Sequence, residues 1–235
     1  MYLESTKYFK NIADIEPKAT LVSGHQFPKL TVKIRNEIVV LGEKVTQEEV
    51  IKYKKEFTPE EFKKILDEGK ADDYIILDMR NDYEYRLGHF KGAIPAGTVN
   101  FREVPQLLER YRSKANGKKI IWYCTGGIRC EKASAYLRQK GFKNVYQLHG
   151  GIIKYIEKHP EFGFDGHCYV FDKRISVKAN DNIISECEHC GVKTARYLNC
   201  IDDICHRQYV CCEACDTEHQ GYCHPSLHRA APAVA

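Results

Sequence analysis

Short apolar runs alternate with amphipathic segments in the middle of the chain. The runs at 74–77, 119–123 and 145–148 are four or five residues long and predict strands that are buried on both faces. The segments that separate them carry apolar residues at helical spacing. Alternating strands and helices are typical of an α/β domain with a largely parallel sheet, which we place at residues 56–163.

The first helix of this domain has a clear start. Thr58 is a candidate N-cap, Pro59 stands at the first helical position, and Glu61 completes a capping box. Phe62 begins the apolar face, and Gly69 is expected to end the helix. Further helices are predicted at 101–114, 131–141 and 152–158.

The segments on either side of this domain have different patterns. In residues 1–45, alternation from Leu30 and the apolar run 38–41 predict a half-buried strand or a bent pair, which needs a partner to cover its apolar face. The charged stretch 43–56 is interpreted as a connector. Residues 164–235 lose the strand and helix alternation and are dense in Cys and His, so we treat them as a separate C-terminal segment.

Composition limits the classes of protein that need be considered. Of 235 residues, 43% are hydrophobic and 29% are charged, a balance that excludes a mostly disordered chain. No apolar run approaches the roughly 18 residues of a membrane helix, and the first residues lack the apolar core of a secretory signal. A net charge of +4 is compatible with a nucleic-acid partner without requiring one.

Eight of the eleven cysteines lie after residue 186, and without a secretory signal a cytoplasmic location is expected. Clustered thiols in that compartment indicate metal ligands or catalytic groups. Two C-x2-C pairs can together supply the four thiolates of a closed structural zinc site: Cys187, Cys190, Cys212 and Cys215. The alternative is a set of free thiols or disulfides.

A second zinc ion is left open by the remaining cysteines. Cys200, Cys205 and Cys223 interleave with the first set along the chain, and His224 or His228 is a candidate fourth ligand.

A third group of residues points to cysteine chemistry. Cys124 stands between a predicted buried strand and a helix, where open α/β sheets place their ligands. The loop after it can turn its N–H groups toward the sulfur, so they and the helix N-terminus would favour a thiolate. Cys124 is therefore the candidate catalytic residue, and its anion-binding neighbours are Thr125, Gly126, Gly127, Ile128 and Arg129. The alternatives are a buried structural cysteine and a phosphatase, whose loop has five residues between Cys and Arg where this chain has four.

The run WYCTGGIRCEKASAYLRQKGF resembles the active-site loop of rhodanese domains, in which a cysteine carries sulfane sulfur as a persulfide. Upstream, LDMRNDYEYRLGHFKGAIP is similar to further rhodanese signatures. Within them, Asp78 and Arg80 are interpreted as a polar pair that fixes the loop after a strand. Cys130 is interpreted as a packing residue, with a resolving role as the alternative.

Four blocks narrow the resemblance: CTGGIRCEK, RNDYE, HQFPKLTVKIRNEIVVLG and GHCYVFDKRISV are similar to a family of three-part rhodanese proteins, the tRNA uridine 5-hydroxylases. This resemblance implies a tRNA partner, oxygen as co-substrate, and a ferredoxin-like N-terminal domain of which residues 1–45 hold the last part. The alternatives are a thiosulfate or persulfide sulfurtransferase and a rhodanese scaffold that binds RNA or protein.

Overall fold

The computed structural model describes residues 29, 37–69, 73–98, 100–107, 111, 117–172, 174–205 and 207–224. The strand predicted from Leu30 and most of the N-terminal ferredoxin-like segment therefore lie outside the described residues. So does His228, one of the two candidate histidine ligands.

A five-stranded parallel sheet forms the centre of the molecule and confirms the predicted α/β class. Its strands in spatial order are β1 (Glu56–Phe57), β6 (Val145–Leu148), β5 (Lys119–Tyr123), β2 (Tyr74–Asp78) and β4 (Ile94–Pro95). The three predicted apolar runs are the three inner strands. Successive residues of β5 point into two different apolar cores, Trp122 into one and Ile121 into the other, as expected for a strand covered on both faces.

Helices cover both faces of this sheet. They are α2 (Pro59–Asp67), α3 (Asp82–Leu87), α4 (Ile128–Gln139) and α5 (Gly151–Lys158). The capping box predicted for α2 is present. Thr58 Oγ1 accepts from the Glu61 N–H at 3.2 Å, and the Glu61 carboxylate accepts from the Thr58 N–H at 2.8 Å. The helix predicted at 101–114 begins with a short 3-10 turn, Phe101–Glu103, and helical residues follow it at 104–107 and 111.

Two expectations for the segment before the sheet are wrong. Residues 38–41 form no strand; instead Leu41 is fully buried in the core that contains Trp122. The stretch interpreted as a connector contains helix α1 (Gln47–Tyr53), which begins with its own capping box between Thr46 and Glu49. The charge of this stretch obscured that start signal, since no residue of α1 is buried.

Residues after 163 return to the α/β domain before the cysteine-rich part begins. Strand β7 (Phe164–Tyr169) pairs antiparallel with β3 (Gly88–Phe90) on one side and with β8 (Ser176–Lys178) on the other. A two-stranded antiparallel hairpin follows, β9 (Tyr197–Asn199) and β10 (Gln208–Val210), and then helix α6 (Glu213–His219). No helix among the described residues is long and apolar enough to cross a membrane.

Candidate active site

The loop from Cys124 to Gly127 joins the carboxyl end of β5 to the start of α4. Gly127 has a φ of 94°, in the left-handed region that glycine adopts without steric cost. Helix α5 closes the loop from the other side, because the Ile152 N–H donates to the Cys124 carbonyl at 3.0 Å and the Ile153 N–H donates to the Thr125 carbonyl at 3.1 Å. A Cβ on Gly151 would lie 2.4 Å from the Cys124 carbonyl oxygen, so the approach of α5 requires glycine there.

The Cys124 sulfur lies among hydrogen-bond donors. The Gly127 N–H donates to Sγ at 3.1 Å, as the sequence predicts for a loop that turns its amides inward. A hydrogen bond from the Cys130 thiol contributes most to lowering the pKa of Cys124 to about 5 from an ordinary 9.0. The charge of Arg129 and the backbone N–H groups of Cys130 and Gly127 add to it against the opposing effect of burial. These contacts favour the thiolate form of Cys124.

Cys130 is the partner in this pair that keeps its proton. It is fully buried, and burial together with the neighbouring Cys124 raises its pKa well above the ordinary value. Cys130 thus does face the core, as the packing interpretation expects, but its thiol also supports the thiolate. The sequence carries a weak signal for this role, since a residue in the first turn of a helix that follows the loop returns toward the loop's start.

Arg129 is held by a carboxylate that the sequence interpretation left without a role. Its two terminal nitrogens donate to the two oxygens of Glu84, each at 2.7 Å. Glu84 is fully buried in α3 and Arg129 is 8% exposed. The Thr125 hydroxyl donates to the same carboxylate at 3.4 Å. Arg129 still favours the thiolate electrostatically, but its orientation is set by Glu84.

The other predicted loop residues differ in their exposure. Gly126 is half-buried at the rim and Gly127 is buried. Ile128 begins α4 with its side chain 52% exposed, so it borders the loop rather than enclosing the sulfur.

Asp78 and Arg80 form the predicted polar pair at the end of β2. Both are fully buried. Arg80 Nη2 donates to an Asp78 carboxylate oxygen at 2.6 Å and to the Gly88 carbonyl at 2.5 Å. The pair ties the end of β2 to β3 and so fixes one wall of the site.

The two C-x2-C pairs come together in the C-terminal segment. All four Sγ atoms, those of Cys187, Cys190, Cys212 and Cys215, lie within 4.8 Å of one another. The sulfurs of Cys190 and Cys212 are 3.7 Å apart, far beyond the disulfide bond length of about 2.05 Å. Two thiolates on one tetrahedral zinc, with bonds of about 2.3 Å, stand about 3.8 Å apart. The geometry of the group therefore fits a zinc ion.

Cys200, Cys205 and Cys223 form a second group in the same segment, with their sulfurs within 4.8 Å of one another. Cys205 and Cys223 Sγ are 3.6 Å apart, and the Cys223 N–H donates to Cys200 Sγ at 3.4 Å. Of the candidate fourth ligands, His224 is adjacent in sequence and exposed, and it is not part of this group.

Comparison with known families and proteins follows the same division of the chain. The Rhodanese-like domain family matches residues 58–158, and the Rhodanase C-terminal family matches residues 165–226. A protein of Cytophaga hutchinsonii named tRNA uridine(34) hydroxylase is 42% identical over 226 residues, which cover 94% of this chain and 70% of that protein. A protein of Staphylococcus haemolyticus with the same name is 41% identical over 228 residues, again 94% and 70% of the two chains.

A solved structure with a similar domain is the rhodanese-like domain of an Anabaena protein. It is 26% identical, covers 59% of this chain and 98% of that domain, and superposes with a TM-score of 0.39.

Proposed function

Because this chain belongs to the rhodanese-domain family of tRNA uridine(34) hydroxylases, we propose that it hydroxylates uridine 34, the wobble position of tRNA, at C5 of the base. The identity over almost the whole chain is the observation that carries this proposal. The substrate is tRNA, and the enzyme acts in the cytoplasm, where tRNA is decoded.

Cys124 is the catalytic residue in this proposal. Its pKa of about 5 supplies a thiolate at the end of the parallel sheet, where such folds bind ligands. Thr125, Gly126, Gly127, Ile128 and Arg129 line the loop that binds the reacting anionic group. Gly127 does so through its N–H, and Arg129 contributes its charge while Glu84 holds it.

The C-terminal cysteines hold structural zinc in this proposal. Cys187, Cys190, Cys212 and Cys215 bind one ion, supported by their mutual distances and by the small apolar content of the segment. Cys200, Cys205 and Cys223 are three candidate ligands for a second ion, whose interleaving with the first set would link the two halves of the segment. Zinc with four thiolate ligands keeps no open position, so the first ion stabilises the fold and takes no part in the reaction.

A deletion strain tests the activity. Wild-type protein should restore the hydroxylated wobble uridine in bulk tRNA, measured by mass spectrometry of nucleosides. Under isotopically heavy oxygen gas, the new hydroxyl should carry the heavy atom, as the family resemblance implies. Heavy label from water instead would overturn the oxygen dependence while leaving the hydroxylation.

A sulfurtransferase is the second candidate, because a thiolate facing backbone N–H groups can also carry sulfane sulfur. The same strain distinguishes the two. If tRNA of the deletion strain lacks a thiolated base and keeps its hydroxyuridine, the sulfurtransferase replaces our proposal.

A further inference from the structure

A surface cavity of about 590 Å³, widely open to solvent, lies between the β7–β8 turn and the β9–β10 hairpin. Its lining includes two aromatic rings, an aliphatic side chain and three side chains that can hydrogen bond: Tyr169, Phe171, Ile175, Asp172, Asn199 and Gln208. Its volume falls within the range of small-molecule and nucleotide sites, about 300–1,000 Å³. None of the candidate zinc ligands and no residue of the Cys124 loop lines this cavity.

One wall of this cavity is shared with the active site. Phe171 is 62% exposed, and its ring centre lies 5.6 Å from the guanidinium carbon of Arg129. Arg129 belongs to the Cys124 loop and helix, so Phe171 stands beside the reactive cysteine's anion-binding loop. A large aromatic ring exposed at such a place can stack against a planar ligand.

The Phe171 ring is held in position by neighbouring aromatic rings. Tyr169 meets it edge to face at 5.1 Å, and Tyr169 itself packs in the same way against Tyr83 and Tyr197. The turn that carries Phe171 is closed by a bond of 2.8 Å from the Val170 N–H to the Ile175 carbonyl. A preformed platform loses little entropy when a ligand binds.

The backbone of this turn is unusual at the cavity's edge. Ile175 has a φ of 61°, a conformation that β-branched residues rarely adopt. Strained backbone of this kind is concentrated at ligand-binding positions. Here it allows the turn to close and places Phe171 and Asp172 on the cavity.

The β9–β10 hairpin contributes amide groups to the lining. Gln208 Oε1 accepts from the Tyr169 hydroxyl at 2.9 Å, which orients its nitrogen as a donor. Asn199, on the paired strand of the hairpin, adds a second amide with one acceptor and two donors. An aromatic platform opposite side-chain amides is the arrangement that recognises unpaired bases, by stacking on the ring and by hydrogen bonding to the base edge.

We propose that this cavity binds one unpaired nucleobase of the tRNA anticodon loop, stacked on Phe171 and bonded at its edge by Asn199 and Gln208. The inference rests on the proposed function, which makes tRNA the substrate. It also gives the cysteine-rich segment a role, because both amides stand on the hairpin whose connecting loop carries Cys200 and Cys205. The zinc would then fix one wall of an RNA site.

The test measures binding of an anticodon stem-loop RNA to the 235-residue chain, with any zinc that it binds kept in place. Phe171→Ala should weaken binding by about tenfold, the scale of one lost base stack, and Phe171→Trp should restore it. Ile204→Ala, at an aliphatic side chain on the cysteine-rich segment that is 75% exposed, is the control and should bind as wild type. Circular dichroism and metal content check that each variant is folded.

Abasic substitutions locate the base. Each unpaired loop position is made abasic in turn, and wild-type protein should lose affinity most at one position. At that position alone, the abasic RNA and Phe171→Ala should not add, because both remove the same stack. Additive losses at every position, or Phe171→Ala binding as tightly as wild type, would overturn the inference.

Hydroxylation is followed in parallel to separate this inference from the proposed function. If the wild-type protein hydroxylates tRNA but the losses from Phe171→Ala and from the abasic RNA are additive at every position, the base site is rejected and the activity is kept. If the two losses are non-additive at one position but the wild-type protein does not hydroxylate tRNA, the activity is rejected and the base site is kept.

Discussion

The Cys124 loop and the cysteine-rich segment use the same side chain in opposite surroundings. Cys124 belongs to a core that consists mainly of aliphatic and aromatic residues, including Leu77 and Trp122. In the segment, the corresponding cluster of buried residues consists of five cysteines and Tyr209. One thiol is added to a stable core, whereas the others make up most of the core themselves.

The two regions also compensate sulfur charge differently. At Cys124 the protein provides the compensation through the Gly127 N–H, the Cys130 thiol and Arg129. Four crowded thiols such as Cys187 and its three partners cannot all ionise against one another without a cation. The comparison predicts that the single compensated thiolate is a reactive group and that the crowded set of thiols is a set of metal ligands.

The largest effect is expected at Cys124. Cys124→Ser should abolish hydroxylation of tRNA in the complemented deletion strain, because a serine hydroxyl is not ionised near neutral pH. The variant should stay folded with the zinc content of wild type, because the serine hydroxyl can still accept from the Gly127 N–H, but it should unfold at a somewhat lower temperature, because it lacks the stabilisation that the thiolate contributes. Full hydroxylation by Cys124→Ser would show that this thiolate is not the reactive group.

Removal of zinc should have the next largest effect, on structure. Cys212→Ser should lower the zinc content by about one ion per chain and unfold the segment, measured by elemental analysis and by proteolysis of residues 187–224. Cys211→Ser is the matched control, because Cys211 is the buried neighbour outside both metal groups. Equal zinc in both variants would contradict the ligand assignment.

The fold could be predicted from the sequence where apolar runs and capping signals coincide. Helix α2 has both signals, and for the inner strands the apolar runs alone were sufficient. Helix α1 has the capping signal without an apolar face, so its charge was interpreted as a connector. Strand β7 is mixed in pattern, and its pairing with β3 depends on contacts distant in sequence.

The site could be predicted as far as local spacing reaches. Cys124 and its loop are contiguous, and the C-x2-C pairs have the spacing of a zinc site. Glu84 is 45 residues from Arg129, and only the fold brings the two together. The cavity beside Phe171 is assembled from two separate hairpins, so the linear pattern carries no signal for it.

The third prediction concerns the support of Arg129. Glu84→Ala leaves a buried guanidinium without its carboxylate and should lower the free energy of unfolding by about 3–5 kcal/mol, measured with denaturant. Glu84→Gln should cost less, because the amide keeps one acceptor. Asp172→Ala removes the carboxylate of a more exposed pair and is the control, with a loss of about 1 kcal/mol or less. Equal losses at Glu84 and Asp172 would mean that burial does not distinguish the two pairs.

The smallest predicted effect concerns Cys130, and it tests how the protein compensates the Cys124 charge. Cys130→Ala removes the donated hydrogen bond and should raise the pKa of Cys124 from about 5 by roughly one to two units. Cys130→Ser keeps a donor in the same place and should leave the pKa closer to wild type.

The pKa of Cys124 is measured from the ultraviolet absorbance of its thiolate as pH is varied. The absorbance of the same protein carrying Cys124→Ser is subtracted, because this subtraction removes the signal of the zinc-bound thiolates. Because the folded pKa is lowered, the thiolate stabilises the fold fully above the unfolded value. That contribution is lost as pH falls through about 5. If Cys124 titrates in Cys130→Ala as it does in wild type, the backbone N–H groups and Arg129 alone lower its pKa, and the Cys130 thiol does not contribute.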